Sequence, residues 1–178
     1  MITVVVVIIA TMLGVSISSI RYTKKIEALF FDGIYLKDEG YTQPGMYSHI
    51  RNCADAALGL ATVMASRPEF AHETGALITT QQVLMDAFSL SNINSAYIRM
   101  TDSYNILISA ITGIELSERE ITAIERYSSL LSGAQKAMVD SRYNSAVTEY
   151  MDGRSALMRV IGLFVPTKTP HFFDFPDA

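Results

Sequence analysis

"MYSHIRNCADAALGLATVMA", residues 46–65, is the stretch that decides the fold class. Its apolar side chains recur at alternating intervals of four and three residues, at Met46, Ile50, Cys53, Ala57, Leu60 and Met64. A spacing that averages about 3.5 residues places these side chains on one side of an α-helix, as in helices that pack lengthwise against one another. The stretch therefore predicts a helix over residues 46–65 with one buried face.

Two more stripes with the same spacing follow along the chain. The second consists of Ile93, Tyr97, Met100, Tyr104, Leu107 and Ile111, and the third of Val139, Tyr143, Ala146, Tyr150, Gly153, Leu157, Val160 and Phe164. No stretch after residue 20 shows the sustained apolar–polar alternation of a half-buried strand. The pattern predicts an all-α fold, a long antiparallel helical bundle of three to four helices.

Turn and capping residues divide this bundle. Gly113 is placed to end a helix, and "SRPE" (66–69) and "SERE" (117–120) each put a Ser three residues before a Glu, the pattern of a capping box. The Gly- and Pro-containing stretch 39–45 predicts a turn. The resulting predicted helices cover 46–65, 68–112 and 118–163, with a short helical extension over 21–37. The polar patch "SLSNINS" (89–95) is a point where the middle helix is expected to kink or break.

The N-terminal segment Ile2–Ile20 contains no charged side chain and is rich in Val and Ile. A helix of that length spans roughly the 30 Å hydrocarbon core of a bilayer. The main alternative is a cleaved signal peptide, but neither a basic n-region nor a small-residue cleavage site is visible. Arg21, Lys24 and Lys25 follow directly. We therefore expect a single-pass transmembrane helix, with the N-terminus outside and the body in the cytoplasm.

Composition argues against several functions. The formal net charge is −4 and the basic residues are scattered, whereas a nucleic-acid groove needs clustered Lys and Arg. Cys53 is the only cysteine, and its apolar helix face indicates a small core residue. Glu69 and His72 have the Glu-x-x-His spacing of di-iron proteins, but no second such motif exists. The sequence thus predicts no catalytic, cofactor-binding or metal-binding residue, no metal or nucleic-acid partner, and no enzymatic activity.

Four tyrosines occupy stripe positions: Tyr97, Tyr104, Tyr143 and Tyr150. Aromatic rings at such positions are expected to be buried, with their hydroxyl groups directed at polar partners or at the edge of the bundle. The alternative is that the tyrosines line a pocket for a small ligand. The stretch "SRYNSAVTEYMDG" (141–153) is accordingly interpreted as one that sets the register between helices.

Several motifs together resemble the LemA family of bacterial membrane proteins. The similarity in 130–153 is carried by Leu131, Ser132, Arg142, Tyr143, Asn144, Ala146, Val147 and Tyr150; upstream it is carried by Arg51, Asp55, Leu58, His72 and Glu73. "GLFVPTKTPHFF" (162–173) is similar to the ending of that family. The chain resembles a divergent member. The resemblance implies placement in the bacterial inner membrane, a helical bundle, and no established enzymatic activity.

These inferences combine into one hypothesis of organisation and function. The expected segments are an anchor (1–21), a helical extension and turn (22–45), a LemA-like bundle (46–165) and an extended Pro/Phe-rich tail (166–178). We expect a membrane-anchored, non-enzymatic scaffold that contacts the lipid bilayer through residues 2–20 and binds an unidentified protein partner. The alternatives are a small-ligand sensor lined by tyrosines, and a membrane-remodelling protein that uses the anchor and the "HFFDF" tail (171–175).

Overall fold

The chain is mostly helical, and it divides into two compact units. The structure, a computed structural model, describes residues 2–153 and 169–175, except for the side chains of residues 2–6 and 8. The elements are α1 (Ile2–Phe31), β1 (Ile34–Leu36), β2 (Tyr41–Gln43), α2 (Met46–Met64), a 3-10 turn (Pro68–Phe70), α3 (Ala71–Met85), α4 (Leu90–Ile111), α5 (Glu118–Val139) and α6 (Tyr143–Asp152). Among the described residues, unit 1 contains 2–45, 141–153 and 169–172, and unit 2 contains 46–140 and 173–175.

Unit 2 is a bundle of the four helices α2–α5. Helix α2 packs against α3 and α5, and α3 packs against α4. Every member of the first two predicted stripes is buried, from Met46 to Met64 on α2 and from Ile93 to Ile111 on α4. The periodicity therefore identified the core-facing sides of these helices correctly, because burial of an apolar stripe is what stabilises a helix in a bundle.

The long helix predicted over 68–112 is wrong, because the chain leaves the helix between α3 and α4. Helix α4 begins at Leu90, and the Ser89 hydroxyl accepts a hydrogen bond from the backbone N–H of Asn92. This cap satisfies one of the orphan donors of a new helix, so a helix start is favoured there. The expected break is confirmed, and it lies at the beginning of the polar patch. The capping box predicted at Ser66 is wrong, since that hydroxyl donates to the carbonyl of Val63.

Helix α5 begins as predicted and ends earlier than predicted. Ser117 and Glu120 form the full capping box, and Gly113 adopts φ +83° after the end of α4. The predicted helix 118–163 is interrupted after Val139, whose side chain is 63% exposed rather than part of a buried stripe. On α6 the buried positions are Tyr143, Val147 and Tyr150. Residues 154–163 of the predicted helix lie outside the described residues.

Unit 1 contains a small antiparallel β-hairpin, so the prediction of an all-α fold is wrong. Strands β1 and β2 pair with Tyr35 opposite Thr42. The helical extension predicted over 21–37 ends at Phe31, and Gly33 follows it with φ +80°. A side chain at Gly33 would overlap the backbone of Gln43 and Gly45. The chain can therefore turn into the hairpin only with a glycine at this position.

The predicted membrane anchor is also corrected. Among the residues that the structure describes, no helix combines the length and the apolar composition that crossing a membrane requires. Helix α1 instead runs on past Arg21 and buries a stripe that includes Ser19, Thr23 and Phe30. Polar groups on a buried stripe indicate packing against protein, where their hydroxyls find partners. This finding overturns the expected single-pass anchor and the inner-membrane localisation, and the bilayer contact expected through residues 2–20 depended on that anchor.

Candidate functional site

Two tyrosines of α4 reach side chains of α5 inside unit 2. The Tyr97 hydroxyl accepts a hydrogen bond from Nε2 of Gln135 at 3.3 Å, and the hydroxyls of Tyr104 and Ser128 lie 2.8 Å apart. Burial raises the pKa of both phenols above the ordinary value of a tyrosine, so both are neutral at physiological pH. The predicted arrangement, a buried ring with a satisfied hydroxyl, is confirmed for both residues.

The other two tyrosines of the predicted stripes, Tyr143 and Tyr150, also have buried rings and hydrogen-bonded hydroxyls, within unit 1. The Tyr143 hydroxyl donates to the carbonyl oxygen of His171 at 2.6 Å, and the Tyr150 hydroxyl lies 2.8 Å from Oγ of Ser19. The Tyr150 ring also stacks on Tyr22 at 5.1 Å between centroids. Burial raises the pKa of Tyr143 above the ordinary value of a tyrosine. These contacts join α6 to α1 and to His171, so Tyr143 and Tyr150 have packing roles. That the stretch 141–153 sets the register between helices stays a prediction.

A groove of about 420 Å³ lies between α4 and α5. It is lined by Tyr97, Thr101, Tyr104, Asn105, Ile108, Ser128, Leu131, Ser132, Gln135, Val139 and Phe175. Val139, at one edge, is exposed, so the groove is open to solvent rather than closed. A second depression of about 610 Å³ between α2 and α5 includes Asp55, Tyr127 and several small side chains.

Thr101 is the one groove-lining residue with a buried side-chain polar atom that lacks a hydrogen-bond partner among the described residues. Its side chain is 4% exposed. The hydroxyl approaches that of Tyr97 closely enough to oppose weakly the rise in the pKa of that phenol, but the two groups do not meet hydrogen-bond geometry. A buried hydroxyl without a partner is destabilising by about 1–3 kcal/mol, so a polar group that reached this atom from the groove would gain a hydrogen bond.

The C-terminal segment Phe173–Phe175 packs on the bundle of unit 2. The Phe173 ring is 2% exposed and lies 5.5 Å from the Tyr97 ring, measured between centroids. Asn94 forms two hydrogen bonds with Asp174, the residue after Phe173. Its Nδ2 donates to the Asp174 carboxylate and its Oδ1 accepts from the Asp174 backbone N–H, each at 3.1 Å. Phe175 packs edge-on against Phe173 and reaches the groove. The segment is thus held by an aromatic anchor and a two-point polar contact.

Cys53 is a core residue, as the sequence predicted. Its side chain is fully buried, and the thiol points to the carbonyl oxygen of Leu131 at 3.8 Å. Burial raises the pKa of the Cys53 thiol to about 12. The thiolate, which is the reactive form, is therefore scarce at neutral pH.

The residues examined for metal binding have other positions and contacts. Glu69 pairs with Arg67 at 3.3 Å, and the side chain of His72 is exposed. Within 2–153 and 169–175, no three His, Cys, Asp or Glu side chains come together in a way that could hold a metal ion. Arg67 also binds both carboxylate oxygens of Glu120, at 2.7 and 2.8 Å. This ion pair and the Ser117 cap lower the pKa of Glu120 well below its usual range.

Sequence reasoning missed the polar residues that surround the tyrosines. Thr101 follows Tyr97 by four residues and precedes Tyr104 by three, so its position on the same helix face was readable as a polar interruption of the stripe. The contact of Asn94 with Asp174 had no such signal, since the two residues are far apart in sequence. Among the residues that carry the LemA resemblance, Arg51 and Asp55 are exposed on α2.

Comparison with known proteins adds no relative. No family model matches the chain, and no curated protein or solved structure matches it either. The resemblance to the LemA family therefore rests on the quoted motifs alone.

Proposed function

We propose that the protein is a non-enzymatic interaction module, and that the bundle of unit 2 binds an extended peptide with the order aromatic–acidic–aromatic. The observation that carries this proposal is the docking of Phe173, Asp174 and Phe175 on α4. The proposal keeps the protein-binding role expected from the sequence and leaves out the membrane anchor. A distant relationship to the LemA family is part of the proposal and has the motif resemblance as its only support.

The contacts of the segment have the properties of a recognition site. A buried aromatic anchor supplies most of the binding energy in many interfaces. Here that anchor is Phe173, in contact with Tyr97. Asn94 contacts both the backbone N–H and the carboxylate of Asp174, so it selects an extended backbone and an acidic side chain together. A partner protein with the same short sequence would make the same contacts in place of the chain's own segment.

The electrostatics of the bundle support a binding role rather than a chemical one. Burial raises the pKa values of three neutral groups in unit 2, the phenols of Tyr97 and Tyr104 and the thiol of Cys53. All three are neutral near pH 7, and a neutral phenol or thiol is a poor nucleophile and a poor base. Tyr97 thus offers the docked Phe173 an uncharged ring.

The experiment is a peptide-binding titration. A fluorescent peptide with the sequence of residues 169–178 is added to the full chain and to its Phe173→Ala variant, and binding is followed by fluorescence anisotropy. In the unmodified chain the tethered segment is present at an effective concentration of about millimolar and competes with the peptide. We therefore expect the peptide to bind Phe173→Ala more tightly than the unmodified chain.

Two further variants make this titration specific. In the Phe173→Ala background, Asn94→Ala should weaken peptide binding by about tenfold, the effect of losing the paired hydrogen bonds. Asn92→Ala, an exposed neighbour on the same helix, is the matched control and should have no effect. Two results would rule out the proposed recognition site: equal binding of the peptide to the Asn94 and Asn92 variants, or no binding to either the unmodified chain or Phe173→Ala.

A further inference from the structure

The groove between α4 and α5 has a size and a lining that suit a small molecule. Its volume of about 420 Å³ lies within the range of about 300–1,000 Å³ that is typical of ligand pockets. The rings of Tyr97, Tyr104 and Phe175 and the side chain of Leu131 supply apolar surface. Such walls favour a ligand that is itself largely apolar.

The described part of the lining is uncharged. Among the described side chains at the groove there is no Asp, Glu, Lys, Arg or His. A charged ligand that entered would lose its hydration without gaining an opposite charge, which is strongly unfavourable. The ligand is therefore neutral.

Among the buried side-chain polar atoms that line the described part of the groove, the Thr101 hydroxyl is the one without a partner. Tyr104 bonds with Ser128, and Tyr97 with Gln135. Helical threonines elsewhere in unit 2 donate to the carbonyl four residues earlier, as Thr122 does to Glu118. The Thr101 hydroxyl makes no such bond, although its side chain is almost fully buried. It is thus the position where a polar atom of the ligand would gain most.

We propose that this groove is a binding site for a neutral, largely apolar small molecule with one hydroxyl or carbonyl oxygen, and that this oxygen bonds to the Thr101 hydroxyl. The groove contains two of the four tyrosines, Tyr97 and Tyr104, for which a ligand pocket was the alternative interpretation of the sequence. The groove shares Tyr97 and Phe175 with the docked segment, but Asn94 and Phe173 do not line it. Variants at Thr101 and at Asn94 therefore test the two proposals separately.

The test uses three probes of similar size that share a benzyl group: benzyl alcohol, toluene and benzylamine, which is charged at neutral pH. Each is titrated into the full chain, and binding is measured by saturation-transfer NMR and by chemical-shift changes. Benzyl alcohol should bind more tightly than toluene, and benzylamine should not bind. Benzylamine binding as tight as that of benzyl alcohol, or no binding of either neutral probe, would overturn the proposal.

Variants at Thr101 then locate the polar contact. Thr101→Val has nearly the same shape without the hydroxyl and should weaken benzyl alcohol binding about tenfold while leaving toluene unaffected. Thr101→Ser keeps a hydroxyl and should retain the preference for benzyl alcohol. Thr122→Val, on α5 outside the groove, is the control. Unchanged benzyl alcohol binding in Thr101→Val would overturn the assignment of Thr101.

A second readout does not depend on any ligand. Because Thr101→Val removes a buried hydroxyl that has no partner, it should raise the Tm of the unliganded chain by about 2–6 °C. Thr122→Val removes a satisfied, exposed hydroxyl and should not raise it. A lower Tm in Thr101→Val would mean that the hydroxyl is already satisfied within the protein, which would contradict the site.

Discussion

Replacement of Phe173 by alanine tests whether the C-terminal segment is docked on unit 2. The ring is 2% exposed. Burying an aromatic side chain removes about 200 Å² from water, worth at most about 5 kcal/mol at 25 cal/mol per Å². The released segment regains conformational freedom, which offsets part of that loss. We therefore expect Phe173→Ala to lower the free energy of unfolding by about 2–4 kcal/mol.

The matched control is the adjacent residue. Phe172 has the same side chain but is 46% exposed, so Phe172→Ala should cost less than about 1 kcal/mol. Urea unfolding followed by circular dichroism gives both values, and thermal unfolding should show a fall in Tm of about 5–15 °C for Phe173→Ala. Equal stabilities of the two variants would refute the docking of the segment. A larger decrease in the free energy of unfolding for Phe172→Ala would mean that Phe172, rather than Phe173, is the buried anchor.

Three further predictions concern unit 2. Gly59→Ala should lower the free energy of unfolding by about 1–3 kcal/mol in a urea titration, since the new methyl group would overlap the Tyr127 ring; unchanged stability would mean that the ring is free to move away. Cys53 should react with a thiol reagent at pH 8 only as the protein unfolds, because burial raises its pKa to about 12, and rapid labelling of the folded chain would contradict this. Folding lowers the pKa of Glu120 below its ordinary value of 4.5, so the stabilisation from its pairing with Arg67 is fully present above pH 4.5 and is lost as the pH falls below it. Glu120→Gln should therefore have a lower Tm than the unmodified chain at pH 7, and the difference should shrink progressively as the pH falls below 4.5; a difference that does not change with pH would point to packing instead.

Local patterns in the sequence were sufficient where the structure depends on neighbouring residues. The spacing on α2 and α4 identified buried positions correctly, because the geometry of a helix relates residues three and four apart directly. The capping box of Ser117 and Glu120 is equally local, since all of its atoms lie within one helical turn. The same applies to the burial of Tyr97 and Tyr104, which follows from their positions in the stripe.

Tertiary structure decided what depends on distant parts of the chain. The hairpin after α1 and the interruption after Val139 divide segments whose local pattern favoured longer helices, because packing outweighs intrinsic propensity. The apolar character of residues 2–20 suggested a bilayer, whereas the burial of Ser19 depends on Tyr150, far along the sequence. The contact of Asn94 with Asp174 and the unsatisfied hydroxyl of Thr101 likewise exist only once helices and tail are assembled. No sequence window contains both partners of such contacts, and so periodicity could locate the core but not the groove.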